Sequence, residues 1–427
     1  MVLKVHVPSA MIHGEVAEGY GPVADAFRRN FTRGREIGAA CAVYRDGRKV
    51  VDLWGGYRDG LTREPWERDT MVPVFSTTKG VSSTAVALLH SRGLLDYDQR
   101  VATYWPEFAA AGKADVTVRQ LLSHQAGLAA IDRPLELRDL TGSPALAAAL
   151  AQQRPAWTPG ERHGYHGTSL GWYESELVSR IDPHGRHLGR FFAEEVAAPL
   201  GLDFHIGLPE GTDRRRIARM HGFRTWEMML HITAMPAAFA VAFANPRSLS
   251  ARAFQNPRVL GVPDNINRPD VQAAEIPAVN GIGQVRSIAR LYGEAATGGT
   301  GLGLSPWTLA ELKSPAQTPS RGLLDQVLRL PTQYSLGYVK PFPAFRFGSA
   351  SGTAFGTMGL GGSFAFADPD TGVGFAYAMN RTGFHLWDDP REVALRDALF
   401  AEVLGEMPQR PDTARARTRR GAGHRRA

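Results

Sequence analysis

The sequence predicts an α+β fold, with one central antiparallel sheet built from both termini, flanked by helices, and a mostly helical part inserted between them. Three observations carry this. Short apolar segments separated by tight turns gather at the two ends of the chain, as strands do. Helical periodicity fills the middle, from about residue 77 to 290. With 427 residues, the chain can bury one large core or two closely packed ones.

The elements follow in order. Residues 21–33 place Val23, Phe27 and Phe31 at helical spacing. Residues 38–56 read as a hairpin, two apolar runs flanking the turn pair Asp46-Gly47. Helices are expected at 81–90, 116–124, 170–181 and 188–200. The stretch 236–277, rich in proline, asparagine and alanine, has little periodicity; it reads either as a lid or wall of a cleft or as a long irregular connection. Residues 333–340 look like a strand, and 363–367 with 373–379 make a second hairpin across 368–372. A closing helix spans about 391–404. The expected division is a sheet domain from 1–75 plus 291–407, a helical insertion from 76–290, and a disordered basic tail from 408–427.

Charge and composition narrow the function. Of the net charge of +7, the tail from Arg410 onward accounts for six, with seven arginines against Asp412 alone. The body is close to neutral, and no aromatic residue interleaves the tail arginines, so no nucleic-acid partner is expected. No run of about 18 apolar residues suggests a membrane span, and the first residues lack an apolar leader, so a cytoplasmic location is expected. Cys41, the single cysteine, excludes an internal disulfide and a multi-cysteine zinc site; its apolar flanks read as core. No metal-ligand spacing stands out and no cofactor is expected.

The sharpest chemical signal is Phe75-Ser76-Thr77-Thr78-Lys79-Gly80 at the start of a helix. Three residues along a helix bring Lys79 to the same side as Ser76. A serine hydroxyl becomes a nucleophile when a base takes its proton, and lysine is a base only when burial or a nearby cation keeps it neutral. By itself the pattern also describes a serine N-cap followed by a solvent-facing lysine. A second signal is Tyr165, in the loop after Trp157-Thr158-Pro159-Gly160, a phenol able to relay protons. A third is Gly356-Thr357-Met358-Gly359-Leu360-Gly361-Gly362 entering a strand, where glycines allow close backbone approach to a ligand. His124, His163, His166 and His221 invite a Ser-His-Asp reading, but no Gly-x-Ser-x-Gly elbow accompanies them.

Taken together, Ser76-x-x-Lys79, Tyr165 behind Trp-x-Pro-Gly, and a glycine-rich strand entry resemble the serine β-lactamase and penicillin-binding-protein-like superfamily. The closer likeness is to its class C-like branch, which includes family VIII carboxylesterases, and it runs from about residue 15 to 405. The resemblance implies a β-lactamase/transpeptidase-like fold, Ser76 as acylated nucleophile, and Lys79 and Tyr165 sharing the acid–base work. It further implies an oxyanion hole from the amides of Ser76 and Leu360, with His166, Thr357 and Gly359 as substrate contacts. Two departures stand out: Tyr165-His166-Gly167 lacks the asparagine of Tyr-x-Asn, and Thr357-Met358-Gly359 lacks the lysine of Lys-Thr-Gly. These losses point away from β-lactams and toward small neutral esters. Hydrolysis, acyl transfer to another acceptor and a non-catalytic binding role remain the readings in play.

Overall fold

The computed structural model describes residues 5–140, 142–223, 227, 231 and 234–406. Both ends of the chain supply the main sheet. β1 (Ile12–Val16), β2 (Gly38–Arg45), β3 (Arg48–Asp59) and the short β4 (Glu64–Pro65) come from the first part. The last part supplies β8 (Phe355–Met358), β9 (Phe364–Asp368) and β10 (Val373–Met379). The order is β1-β3-β2-β10-β9-β8, with β4 on β3, and every pairing is antiparallel. The β2–β3 turn places Asp46 at φ +50° and Gly47 at φ +75°, the doubly left-handed geometry that Asp-Gly favours in tight hairpins.

Alternation along β9 and β10 sorts the two faces. Phe364, Phe366, Phe375 and Tyr377 point to one side, toward α1 (Gly21–Thr32) and the C-terminal helix α5 (Pro390–Asp397) with its continuation to Val403. Ala365, Ala367, Ala376 and Ala378 point to the other, where α4 (Val285–Ala296) packs. The small face lets that helix come close. A Cβ at Gly374 would stand 2.1 Å from the Gly293 amide nitrogen, so both glycines are needed at this contact.

Beyond α4 lies the helical part, with α2 (Thr78–Ser91) and α3 (Ser169–Ile181) packed together in its core. A second sheet of β5 (Val72–Pro73), β7 (Ile282–Gly283) and β6 (Phe204–His205), in that order, ties the start of α2 to the end of the insertion. Residue 290 falls inside α4, which packs across β2, β9 and β10. Residues 333–340 form no strand. They double back at Gly337 (φ +83°), with the Ser335 amide donating to the Tyr338 carbonyl at 2.8 Å and the Lys340 amide to the Gln333 carbonyl at 2.9 Å. The basic tail 408–427 lies outside the described residues. Among the described residues no helix is long and apolar enough to cross a membrane.

Candidate active site

Ser76 sits in a 3-10 turn, Phe75–Thr77, that runs directly into α2. Phe75 adopts φ +46°, a conformation that costs a bulky L-residue about 1–2 kcal/mol, so the surroundings must hold it. Three contacts do so. The Val74 amide donates to the Gly281 carbonyl at 3.0 Å beside the β5–β7 pairing. The Thr78 hydroxyl donates to the Phe75 carbonyl and accepts from the Gly281 amide. The Thr77 hydroxyl lies 3.0 Å from Ser363 Oγ, which donates to the Val74 carbonyl at 2.9 Å. Ser76 is left half-buried at the surface of this locked turn.

Lys79 Nζ donates to Ser76 Oγ at 2.9 Å and to the Ala278 carbonyl at 2.9 Å. The side chain is 1% exposed. Burial pulls its pKa down to about 7, while Glu174 pulls in the opposite direction. An ammonium has three protons to place. Lys113, a structural buried lysine, places them on the carbonyls of Ala110, Ala151 and Gln153. Lys79 meets one carbonyl and one hydroxyl, a shell better suited to the neutral amine.

The Tyr165 ring lies with its centroid 4.8 Å from Lys79 Nζ. Burial raises its pKa, and a hydrogen bond with Ser76 offsets part of the rise, so the phenol keeps its proton near neutrality. Its backbone amide donates to both oxygens of Asp325, at 3.2 and 3.0 Å. That carboxylate also accepts from the amides of Val327 and Leu328, each at 2.7 Å, and from the hydroxyl of Tyr334 at 2.7 Å. Asp325 thus ties the Tyr165 loop to a turn 160 residues away.

Two expected substrate contacts are placed elsewhere. The His166 ring is fully buried; Nδ1 lies 2.8 Å from the Gly164 carbonyl and Nε2 accepts from the Leu128 amide at 3.1 Å. Both nitrogens are spent on backbone, and burial lowers its pKa to about 4. His166 is a neutral strut. Likewise the Thr357 hydroxyl donates to the Thr77 carbonyl at 3.0 Å, accepts from the Gly80 amide at 3.2 Å and lies 3.2 Å from the Tyr292 hydroxyl. It fastens β8 to α2. His124, at φ +63°, accepts the His166 amide on Nδ1 at 3.1 Å, and burial lowers its pKa well below the usual histidine range.

Gly359 lies against the Ser76 turn, with Leu360 next to it in the chain. A Cβ at Gly359 would stand 2.2 Å from the Val74 carbonyl oxygen, so only glycine lets this strand end lie flat on the turn. Behind it, Arg391 donates to the Gly361 carbonyl at 2.7 Å and pairs with Asp389 and Glu36. Among the described residues, neither the Ser76 nor the Leu360 amide donates to a protein acceptor. The stretch 236–277 folds as short helices, and its segment at Ala253 and Phe254 lies beside Tyr165. Ala253 accepts the Thr168 amide at 3.2 Å, and the Phe254 ring lies 6.1 Å from that of Tyr165. A Cβ at Gly167 would lie 2.7 Å from Phe254, so an aromatic ring fills the space an asparagine side chain would need. Among the described residues, no cluster of three or more His, Cys, Asp or Glu is arranged to hold a metal ion.

Residues 23–399 match the protein family described as Beta-lactamase. The chain is 35% identical over 378 residues to the Esterase/beta-lactamase LipL of Mycobacterium tuberculosis, covering 87% of this chain and 83% of that protein. Among solved structures, it is similar to a family VIII carboxylesterase, with a TM-score of 0.77 and 38% identity over 91% of this chain and 98% of that one. It is also similar to EstA from Arthrobacter nitroguajacolicus Rue61a, with a TM-score of 0.79 and 30% identity, covering 92% and 99%. A locked Ser-x-x-Lys turn between a two-ended antiparallel sheet and a helical insertion, matched along nearly the whole chain, places this protein in the beta-lactamase family, within the serine β-lactamase and penicillin-binding-protein-like superfamily.

Proposed function

We propose that the protein is a serine hydrolase that cleaves small neutral carboxylic esters through an acyl-enzyme on Ser76. The 2.9 Å contact between the buried Lys79 amine and Ser76 Oγ carries the reading. With its pKa lowered to about 7 the amine is about half neutral at pH 7 and largely neutral above it, able to take the serine proton. Ser76 Oγ then attacks the ester carbonyl carbon, and the amides of Ser76 and Leu360 receive the oxyanion. As the carbon–oxygen bond to the leaving alcohol breaks, Tyr165, protonated at rest, donates its proton to the departing alkoxide. Lys79 returns a proton to Tyr165, and water hydrolyses the acyl-enzyme with the same groups.

The substrate class is inferred from what surrounds these atoms. Thr357 spends its hydroxyl on α2, and Phe254 fills the space before Gly167. A substrate carboxylate or acylamino arm therefore lacks the lysine and asparagine that would receive it. The likeness to a family VIII carboxylesterase supports the ester reading, while the Esterase/beta-lactamase LipL carries both activities in its name.

Incubation with p-nitrophenyl acetate should give a nitrophenolate burst and an intact-mass increase of one acetyl group, located on Ser76. Both should vanish in Ser76→Ala. Wild-type turnover by Ser76→Ala would end the reading. Adding an acceptor alcohol to the same reaction separates the two fates of the acyl group: free acetate indicates hydrolysis, and a new ester indicates acyl transfer.

A further inference from the structure

One buried carboxyl near this chemistry has no part in it. Glu174, on α3, is fully buried. Its Oε1 accepts from the Ser83 hydroxyl at 2.6 Å, and its Oε2 has no hydrogen-bond partner among the described residues. Ser83 lies four residues beyond Lys79 on α2, so the two share one helix face and Glu174 is held one turn behind the amine that meets Ser76. Trp172, Tyr173, Leu177 and Val178 of the same helix are buried around it, and unlike Glu176, which pairs with Arg180, Glu174 has no cationic partner within hydrogen-bond distance among the described residues.

We propose that Glu174 is a positioning residue that sets the proton affinity of Lys79, and with it the pH at which Ser76 gains its base. The proposal rests on Lys79 serving Ser76. The other groups around the pair carry little charge near neutrality. Burial keeps Tyr97, Tyr165 and Tyr338 protonated, and it keeps His124 and His166 neutral, with the Lys79 charge acting on both in the same direction. Asp325, on the Tyr165 side, is engaged by its own amide and hydroxyl donors. Glu174 is the neighbour whose ionisation favours ammonium at Lys79, and the Lys79 charge in turn favours carboxylate at Glu174. Burial opposes both charges, raising Glu174 and lowering Lys79 until their titrations overlap, so the Lys79 limb is displaced in proportion to the fraction of Glu174 that is ionised across it.

The sign follows directly. Activity needs neutral Lys79, so kcat/KM rises with pH as the ammonium loses its proton. An ionised Glu174 holds that proton longer and keeps the rising limb at higher pH. Glu174→Gln keeps the shape and the Ser83 contact but removes the charge. The limb should then move toward acid by about 0.3 of a pH unit, roughly a twofold change in acid constant, because only part of Glu174 is ionised across it. Glu174→Asp, which retains a carboxylate, should leave the limb closer to wild type. The measurement is kcat/KM for p-nitrophenyl acetate from pH 5 to 9, with melting temperature as the folding control. A structural role alone would lower the rate at every pH without moving the limb.

If Glu174→Gln fails to fold, Ser83→Ala reads the same quantity. It removes the hydroxyl that stabilises the carboxylate, favours neutral Glu174, and should also move the limb toward acid. An unmoved or alkaline-shifted limb, in a protein that still shows the Ser76 burst, overturns the inference alone. Loss of the Ser76 dependence overturns the function on which it rests.

Discussion

Gly359→Ala tests whether the strand end bearing Leu360 must lie flat on the nucleophile turn. The new methyl would stand 2.2 Å from the Val74 carbonyl oxygen, 2.3 Å from Ser363 Oγ and 2.9 Å from Thr77 Oγ1. Non-bonded heavy atoms settle at about 3.5 Å, so the strand end must retreat by roughly 1 Å. A retreat of about 1 Å costs on the order of 100-fold in a positioned reaction, and complete loss of an oxyanion donor costs about 100- to 1,000-fold. We therefore expect kcat for p-nitrophenyl acetate to fall by about two decades. Overpacking should cost roughly 1–3 kcal/mol of stability, read by urea denaturation. Adding Ser363→Ala removes one of the three collisions but leaves the Val74 carbonyl in place, so the double variant should stay impaired. If Gly359→Ala kept kcat within about threefold of wild type, the Leu360 amide would not be the oxyanion donor.

Two further outcomes follow from the same geometry. p-Nitrophenyl butyrate should be turned over with a kcat/KM about two to four decades above that of nitrocefin, because no lysine or asparagine anchors the β-lactam arms; equal values would refute this account of the pocket. Arg391→Met should destabilise the protein by about 3–5 kcal/mol, since Asp389 and Glu36, paired with the guanidinium at 2.8 and 3.3 Å, would remain buried without their cation. Adding Glu36→Gln to Arg391→Met should restore part of that loss in urea denaturation, and no restoration would argue against the pairing.

The Ser76 and Lys79 pairing was legible in the sequence because it is local. Three residues along a helix fix the relative direction of two side chains, whatever surrounds them. The hairpins at 38–56 and 363–379 were legible for the same reason: period-two alternation and turn residues are properties of neighbouring positions. The strand expected at 333–340 is broken because Gly337 turns the chain back on itself, so that Val339 alone pairs with β8, at Gly356, while Ser335 and Lys340 spend their amides within the segment. His166 and Thr357 stand at the motif positions, yet what each touches is set by segments far away. The Leu128 amide holds His166 from 38 residues off, and Thr357 is 280 residues from its Thr77 acceptor. Asp325 under Tyr165 and Glu174 behind Lys79 likewise exist as partners only after segments 160 and 95 residues apart have packed together. Residue type and spacing alone therefore pointed to Ser76 and Lys79 as neighbours and to most of the strands and helices around them. Packing decided which polar groups lost their water, which found a partner, and hence how strongly the lysine beside Ser76 holds its proton.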